Sequence, residues 1–430
     1  MLNQTNPTIK AENFFKLPFE PGTRILTENT LNKYSEIRVP KRRYLPIEIR
    51  MISYSNNLLT IGIKLDKEPE EQVYIQVTAS ELLVSCSVDT NECYLSRYDY
   101  FTLYRLALYS DKYDFEDYYW PDFFDQHTGE SKYLVVHKSK DKIFVSSKVR
   151  YKGLYKPGTP LPILSGDNLK LREVMPIIQE KPPTGSHTVM GFCLADANNE
   201  RHRSNHYPFL IPYIGTLDKN KTSVKGFKTY VLSEMDLPDV DLTDEQQYLM
   251  DICFAMKKIA PVISYESIED VQVLAEKREE NKKHFNALFE LWQRAIPLLA
   301  GRLYTHYTYT FGMRHVKGKP TKSYMVPCSF RNERPEICFL WKDQGDYYRL
   351  ELRLMIGGKI QKLSYYYNTA FFVMLSYDRD YILLSSLMDC ELASYFQKNH
   401  FKLLILKTHF GGDCKDFVDQ LVTRYKFIKR

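Results

Sequence analysis

Residues 241–301 form the one long run of this sequence with helical periodicity, and they constrain how everything else can be arranged. Thr243 opens the run and Gln246 follows three residues later, the pattern of a capping box. Asp244 and Glu245 put negative charge on the first turn, where the helix dipole favours it. Leu249, Ile252, Cys253, Met256 and Ile259 recur at helical spacing, and Pro261 ends the helix. A second helix is expected from near Ser267, with Val271, Leu274, Phe285, Leu288, Phe289, Trp292, Ile296 and Leu299 on its apolar side. Glu276 to His284 is almost wholly charged. That stretch reads as a solvated helical face with pairs such as Glu279–Lys283, or as a strut between two lobes.

The flanking sequence is strand-rich, so the expected fold class is α+β, with strand-rich N-terminal and C-terminal parts joined by the central helical segment. Four regions are expected: 1–150, 151–240 ending in an acidic linker, 241–301, and 302–430. Residues 1–40 read as an irregular arm. Tyr44–Tyr54, Leu58–Leu65, Gln72–Thr78 and Leu82–Ser85 are β-prone, and Arg97–Tyr109 is helical. The acidic aromatic segment Asp114–Asp125 suits a surface helix or a protein partner. After residue 302 an antiparallel meander is expected, followed by helices at Leu387–Asn399 and Asp413–Tyr425, with Lys426, Lys429 and Arg430 at the end of the second.

Composition narrows the class. The 430 residues carry a net charge of +6, so charge distribution matters more than the total. Eight scattered cysteines do not form a disulfide framework and fit reduced thiols. The N-terminus lacks the apolar core of a secretory signal, and the most apolar window, Tyr365–Tyr377, is too short to span a bilayer. A cytoplasmic protein away from membranes is therefore expected.

Three patterns carry possible chemistry. Asp122, Glu130 and Lys132 spell the carboxylates and lysine of a metal-dependent nuclease, although a turn at His127-Thr128-Gly129 explains the same residues. His187, Cys193, His202 and His206 have spacings compatible with zinc, but no paired-cysteine knuckle accompanies them. Most informative is the stretch from Arg302 to Asn332, which contains no Asp or Glu. Arg314, Lys317, Lys319, Lys322 and Arg331 there alternate with aromatics, and Tyr307, Tyr309 and Phe311 recur at period two. Basic loops beside aromatic strand faces neutralise phosphates and stack bases, whereas buried rings and solubilising lysines would be plain structure. Phosphate-loop, nucleophile-elbow, zinc-helix and dinucleotide signatures are absent from the sequence, which disfavours an independent ATPase, hydrolase or dehydrogenase and implies no cofactor.

The segment order resembles the region that precedes the motor in bacterial Swi/Snf-type helicases. The resemblance runs through Leu83–Leu106, the helix DEQQYLMDICFAMKKIA, the strands DYYRLELRLMIGGKIQKL and YILLSS, and the closing FVDQLVTRY. In that family a SWIM-type zinc finger occupies the first of these places. Here Cys86 matches the first ligand, Val88 stands where the second cysteine belongs, Cys93 is poorly placed for the third, and no histidine follows before the helix. The finger is degenerate and no zinc is carried over. The resemblance implies a non-catalytic accessory module that binds or positions DNA for a helicase-type ATPase in cis or in trans, either as a stand-alone relative or as a fragment. A regulatory subunit that binds protein, without DNA contact, is the other reading of the same residues.

Overall fold

The computed structural model describes residues 14–35, 46–88, 92–108, 110–125, 127–139, 142–164, 177, 179–183, 185, 187–196, 207–237, 242–260, 271–309, 316, 318–363, 368–369, 371–374 and 379–429. The chain forms two units. The first comprises Met1–Leu161, Lys342–Leu350 and Leu403–Asp419, and the second comprises Pro162–Trp341, Glu351–Lys402 and Gln420–Arg430. The fold is α+β, with the long helices in the middle of the chain.

In the first unit, β1 (Phe15–Pro18), β2 (Ile25–Thr27) and α1 (Glu28–Lys33) occupy the described part of the expected irregular arm, whose residues 1–13 and 36–40 lie outside the described residues. Each is too short to show periodicity, yet Leu17, Leu26 and Leu31 are buried, so tertiary packing holds what propensity alone would not. β3 (Ile47–Ser55), β4 (Leu58–Leu65), β5 (Glu71–Val77) and β6 (Glu81–Cys86) form an antiparallel meander, with β1 added at its edge beside β6. Helix α2 (Arg97–Ala107) packs on this sheet, its N-terminus capped by Ser96, whose hydroxyl accepts from Asp99 N–H. β7 (Lys112–Asp114) pairs with β2, and β8 (Leu134–Lys138) pairs with β9 (Ile143–Ser147).

The acidic aromatic segment forms no surface helix. It makes a short 3-10 turn at Glu116–Tyr118 and sends Phe115, Tyr118, Tyr119, Trp120 and Phe123 into the core, while Asp117, Asp122 and Asp125 stay exposed. Such aromatic burial outweighs the modest helix propensity of the acids. Glu116 anchors two cations there. Arg24 Nη1 donates to it at 2.6 Å and Lys156 Nζ at 3.0 Å, and the two cations lie 3.8 and 4.0 Å from the ring centroids of Tyr119 and Trp120.

The second unit is built on β10 (Thr188–Asp196), β11 (Phe209–Leu217) and β12 (Val224–Tyr230), an antiparallel trio. α3 (Asp244–Ile259) follows, with both halves of the Thr243–Gln246 capping box formed, and ends at Ala260 just before Pro261. α4 (Val271–Leu299) carries Pro297 in its last turn. In the charged stretch Glu280, Lys282 and Lys283 are exposed, while the side chains of 271–279, including the Glu279 end of the anticipated pair, lie outside the described residues. These helices return the chain to β13 (Thr305–Tyr309), which runs parallel to β10 and pairs on its other side with β14 (Val326–Pro327). The sheet order is β12-β11-β10-β13-β14. Leu288, Phe289, Trp292 and Ile296 of α4 are fully buried, and Trp292 Nε1 donates to the Pro208 carbonyl at 2.9 Å.

The remaining strands are not one antiparallel meander. β15 (Ser329–Arg331), β16 (Glu336–Asp343), β17 (Tyr347–Ile356), β18 (Lys359–Lys362), β19 (Asn368–Thr369), β20 (Phe372–Met374), β21 (Asp380–Leu383), β22 (Lys402–Leu406) and β23 (Lys426–Lys429) separate into the orders β15-β21-β20-β19 and β18-β17-β16-β23, with β22 pairing β17. The pairs β15/β21 and β16/β23 are parallel. Helices α5 (Leu387–Lys398) and α6 (Gly412–Arg424) lie where the periodicity places them. Lys426 and Lys429 sit in β23 rather than at a helix end, because Phe427 packs on Phe339, ring centroids 5.3 Å apart.

Two substitutions probe this scaffold. Trp292→Ala removes a fully buried ring and its hydrogen bond and is expected to cost about 3–5 kcal/mol. Thr243→Ala removes only the cap and is expected to cost about 1 kcal/mol. Urea denaturation of the two variants beside wild type checks both the size and the order of these losses.

Candidate nucleic-acid interface

β13 lies between β10 and β14, so the strand at the start of the acid-free stretch is interior rather than surface. Tyr304, Thr305, His306 and Thr308 are buried. Tyr304 donates its hydroxyl proton to the Lys221 carbonyl at 2.7 Å, and Thr305 donates to the Cys328 carbonyl at 2.5 Å. Tyr307 is half-buried. Its ring stacks on Tyr381 with centroids 6.3 Å apart, and the Arg379 guanidinium sits 4.3 Å from it. Tyr307 is therefore packed, not presented as an open stacking face. Tyr309 ends the strand, its side chain outside the described residues, as are Phe311, Arg314 and Lys317. Arg331 is engaged by Glu333 at 2.5 Å and Asp380 at 3.6 Å, which offsets its charge. Lys319 and Lys322 are exposed.

The structure adds cations that motif reading passed over. Residues 219–233 form a second stretch without Asp or Glu, and it includes β12, an edge strand of the sheet. Pairing of β12 with β11 runs Tyr230↔Tyr213, Thr229↔Ile214, Phe227↔Gly215, Gly226↔Thr216 and Val224↔Leu217. The two residues skipped by this register are Lys228 and Lys225, each the extra residue of a β-bulge, and both are exposed. The Gly318 carbonyl accepts from Tyr230 N–H at 2.9 Å and from the Thr229 hydroxyl at 3.5 Å, joining the Lys319 loop to the end of this edge. Gly318 takes φ +68°, a left-handed conformation that glycine adopts without strain. The two acid-free stretches thus meet. Among the described residues, Lys219, Lys225, Lys228, Lys319 and Lys322 make no ion pair with a carboxylate, and Lys228 Nζ donates to the Thr188 hydroxyl at 3.1 Å. The alternation that marks a strand is broken by a bulge, which is why the motif was hard to see in sequence.

The other candidate patterns fall elsewhere. Asp125 accepts from the backbone N–H groups of Thr128 and His127 at 2.8 and 3.0 Å, which depress its pKa, and so builds the His127-Thr128-Gly129 turn. Lys132 is ion-paired to Asp346, and Asp122, exposed and at φ +57°, faces His409 at 3.7 Å. Glu130 is exposed. Cys193 is fully buried in β10, and burial holds its thiol well above the ordinary range, which disfavours the thiolate that zinc requires. His187 precedes β10, and His202 and His206 lie outside the described residues. Cys86 is buried and Cys93 exposed. No group of three or more His, Cys, Asp or Glu positioned to hold a metal occurs among the described residues. No helix among the described residues is long and apolar enough to cross a membrane.

Searches of protein-family models, curated proteins and solved structures find no match to this chain.

Beneath the basic edge lies a buried polar cluster. The Tyr213 hydroxyl is 3.1 Å from the Tyr304 carbonyl and 2.8 Å from His306 Nδ1. With its proton given to the carbonyl, it accepts from Nδ1–H, which fixes neutral His306 in one tautomer. The Tyr213 ring crosses Gly191, where a Cβ would come within 2.3 Å of it, so glycine is required there. Burial lowers the His306 pKa from 6.5 to about 4. The unfolded chain therefore binds a proton first. The stabilising contribution is whole above about pH 6.5 and is lost as pH falls toward about 4, an effect of about 3 kcal/mol. Stability measured by urea titration at neutral pH and near the lower limit should decline less in His306→Gln than in wild type. An equal decline in both would show that His306 is not the titrating group.

Proposed function

We propose that this chain is a non-catalytic nucleic-acid-binding module that contacts the phosphate backbone through the basic edge formed by Lys225, Lys228, Lys319 and Lys322. The observation that carries the reading is the meeting of two acid-free stretches at one edge strand, with lysines at its bulges free of carboxylate partners among the described residues. Unpaired cations grouped this way bind phosphates by releasing condensed counterions, without reading sequence. The resemblance to the region preceding a Swi/Snf-type motor adds a role for the bound DNA: the module positions it for a helicase-type ATPase in cis or in trans.

Lysines at bulges also keep an edge strand from pairing with another chain. Binding measurements separate the two uses. Wild type should bind DNA at low salt, with affinity falling steeply as salt rises. Lys225→Glu/Lys228→Glu and Lys319→Glu/Lys322→Glu should each weaken binding by about tenfold or more and reduce the slope of log affinity against log salt by about 2. Charge reversal that leaves affinity and slope unchanged assigns these lysines to edge protection. In that case the reading as a regulatory subunit that binds protein takes precedence.

A further inference from the structure

The lysines alone would suit any phosphate backbone. What distinguishes one nucleic acid from another is whether the surface also offers a face on which an unpaired base can stack. Of the described aromatics in the acid-free stretch, Tyr304 and Phe330 are buried and Tyr307 is covered by Tyr381 and Arg379. Tyr324 differs. It ends the 3-10 turn Lys322–Tyr324, is 54% exposed, and makes no ring or cation contact among the described residues. Among the described residues of the second unit the other exposed aromatic is Tyr248, which is engaged: Arg294 Nε donates to its hydroxyl at 2.8 Å. The Tyr324 ring thus stands unengaged on a turn anchored by its own N–H to the Thr321 carbonyl at 2.9 Å, with Lys322 two residues before it.

Building on the phosphate-binding reading above, we infer that the ligand of this edge is single-stranded nucleic acid, with a base stacked on Tyr324 while Lys319 and Lys322 neutralise the flanking phosphates. A duplex keeps its bases stacked on one another and has none to give the ring. The preference for single strands therefore resides in Tyr324 and the general affinity in the lysines. Because stacking releases no counterions, the two contributions respond differently to salt.

The experiment compares oligothymidylate with a blunt-ended two-strand duplex of matched phosphate number, on the full chain across a salt series. Wild type should favour the single strand. Tyr324→Ala should weaken oligothymidylate binding about tenfold, leave its salt slope unchanged, and alter duplex binding by less than about twofold. Tyr324→Trp should retain wild-type affinity, which controls for damage to the turn. Equal losses on both ligands, an unchanged single-strand affinity in Tyr324→Ala, or a wild-type preference for duplex would each overturn the assignment while leaving the basic edge in place. If wild type binds neither ligand at low salt, the underlying phosphate-binding reading fails and this one falls with it.

Discussion

A strand paired on both sides has its backbone groups drawn into the ladder, and β13 shares that condition with its sheet neighbours β10 and β11. Its parallel pairing with β10 requires a crossover, supplied by α3 and α4, whose apolar faces contribute Leu249, Ile252, Met256, Leu288, Phe289 and Trp292 to the core. The polar side chains that packing buries on or beside the strand must then find partners inside. Thr305 finds the Cys328 carbonyl, His306 finds Tyr213, and Tyr304 finds Lys221. An unmet group there would cost about 1–3 kcal/mol, comparable to a sizeable share of a domain's net stability.

The same constraint takes up the side chains of the strand whose alternation made it the leading candidate. Aromatics alternating along β13 are taken up by packing, and Arg331 is matched by Glu333 and Asp380. Cations left without acidic partners lie instead on β12, where the ladder ends and solvent begins. The interior supplies rigidity and the edge supplies charge. The link between them is short, since Tyr304, at the base of β13, bonds the Lys221 carbonyl in the turn that leads into β12.

Much of this architecture was legible from local patterns. The capping box at Thr243, the stop at Pro261, the meander over residues 47–86 and the helices near Leu387 and Asp413 are set by neighbours in sequence. What could not be read depends on partners far along the chain. The acidic aromatic segment has the composition of a surface, and its rings are interior only because distant elements close over them. The parallel pairs β15/β21 and β16/β23 join strands separated by roughly fifty residues or more, which no periodicity encodes. Lys319 and Lys322 were visible as an acid-free run, but Lys225 and Lys228 acquire meaning only once the register shows that pairing skips them.

That skipped pairing has a consequence for how the sequence can change. In an ordinary strand, loss of one residue inverts the facing of every side chain beyond it, exchanging core for solvent. At Lys225 or Lys228 the ladder already passes over the residue, so its deletion closes a bulge and keeps Phe227 and Tyr230 facing inward. The length of β12 is therefore adjustable at these two positions, and deletions there would remove charge from the edge without disturbing the interior. A lineage could shed or regain the basic edge by gaining or losing single codons, leaving the sheet intact.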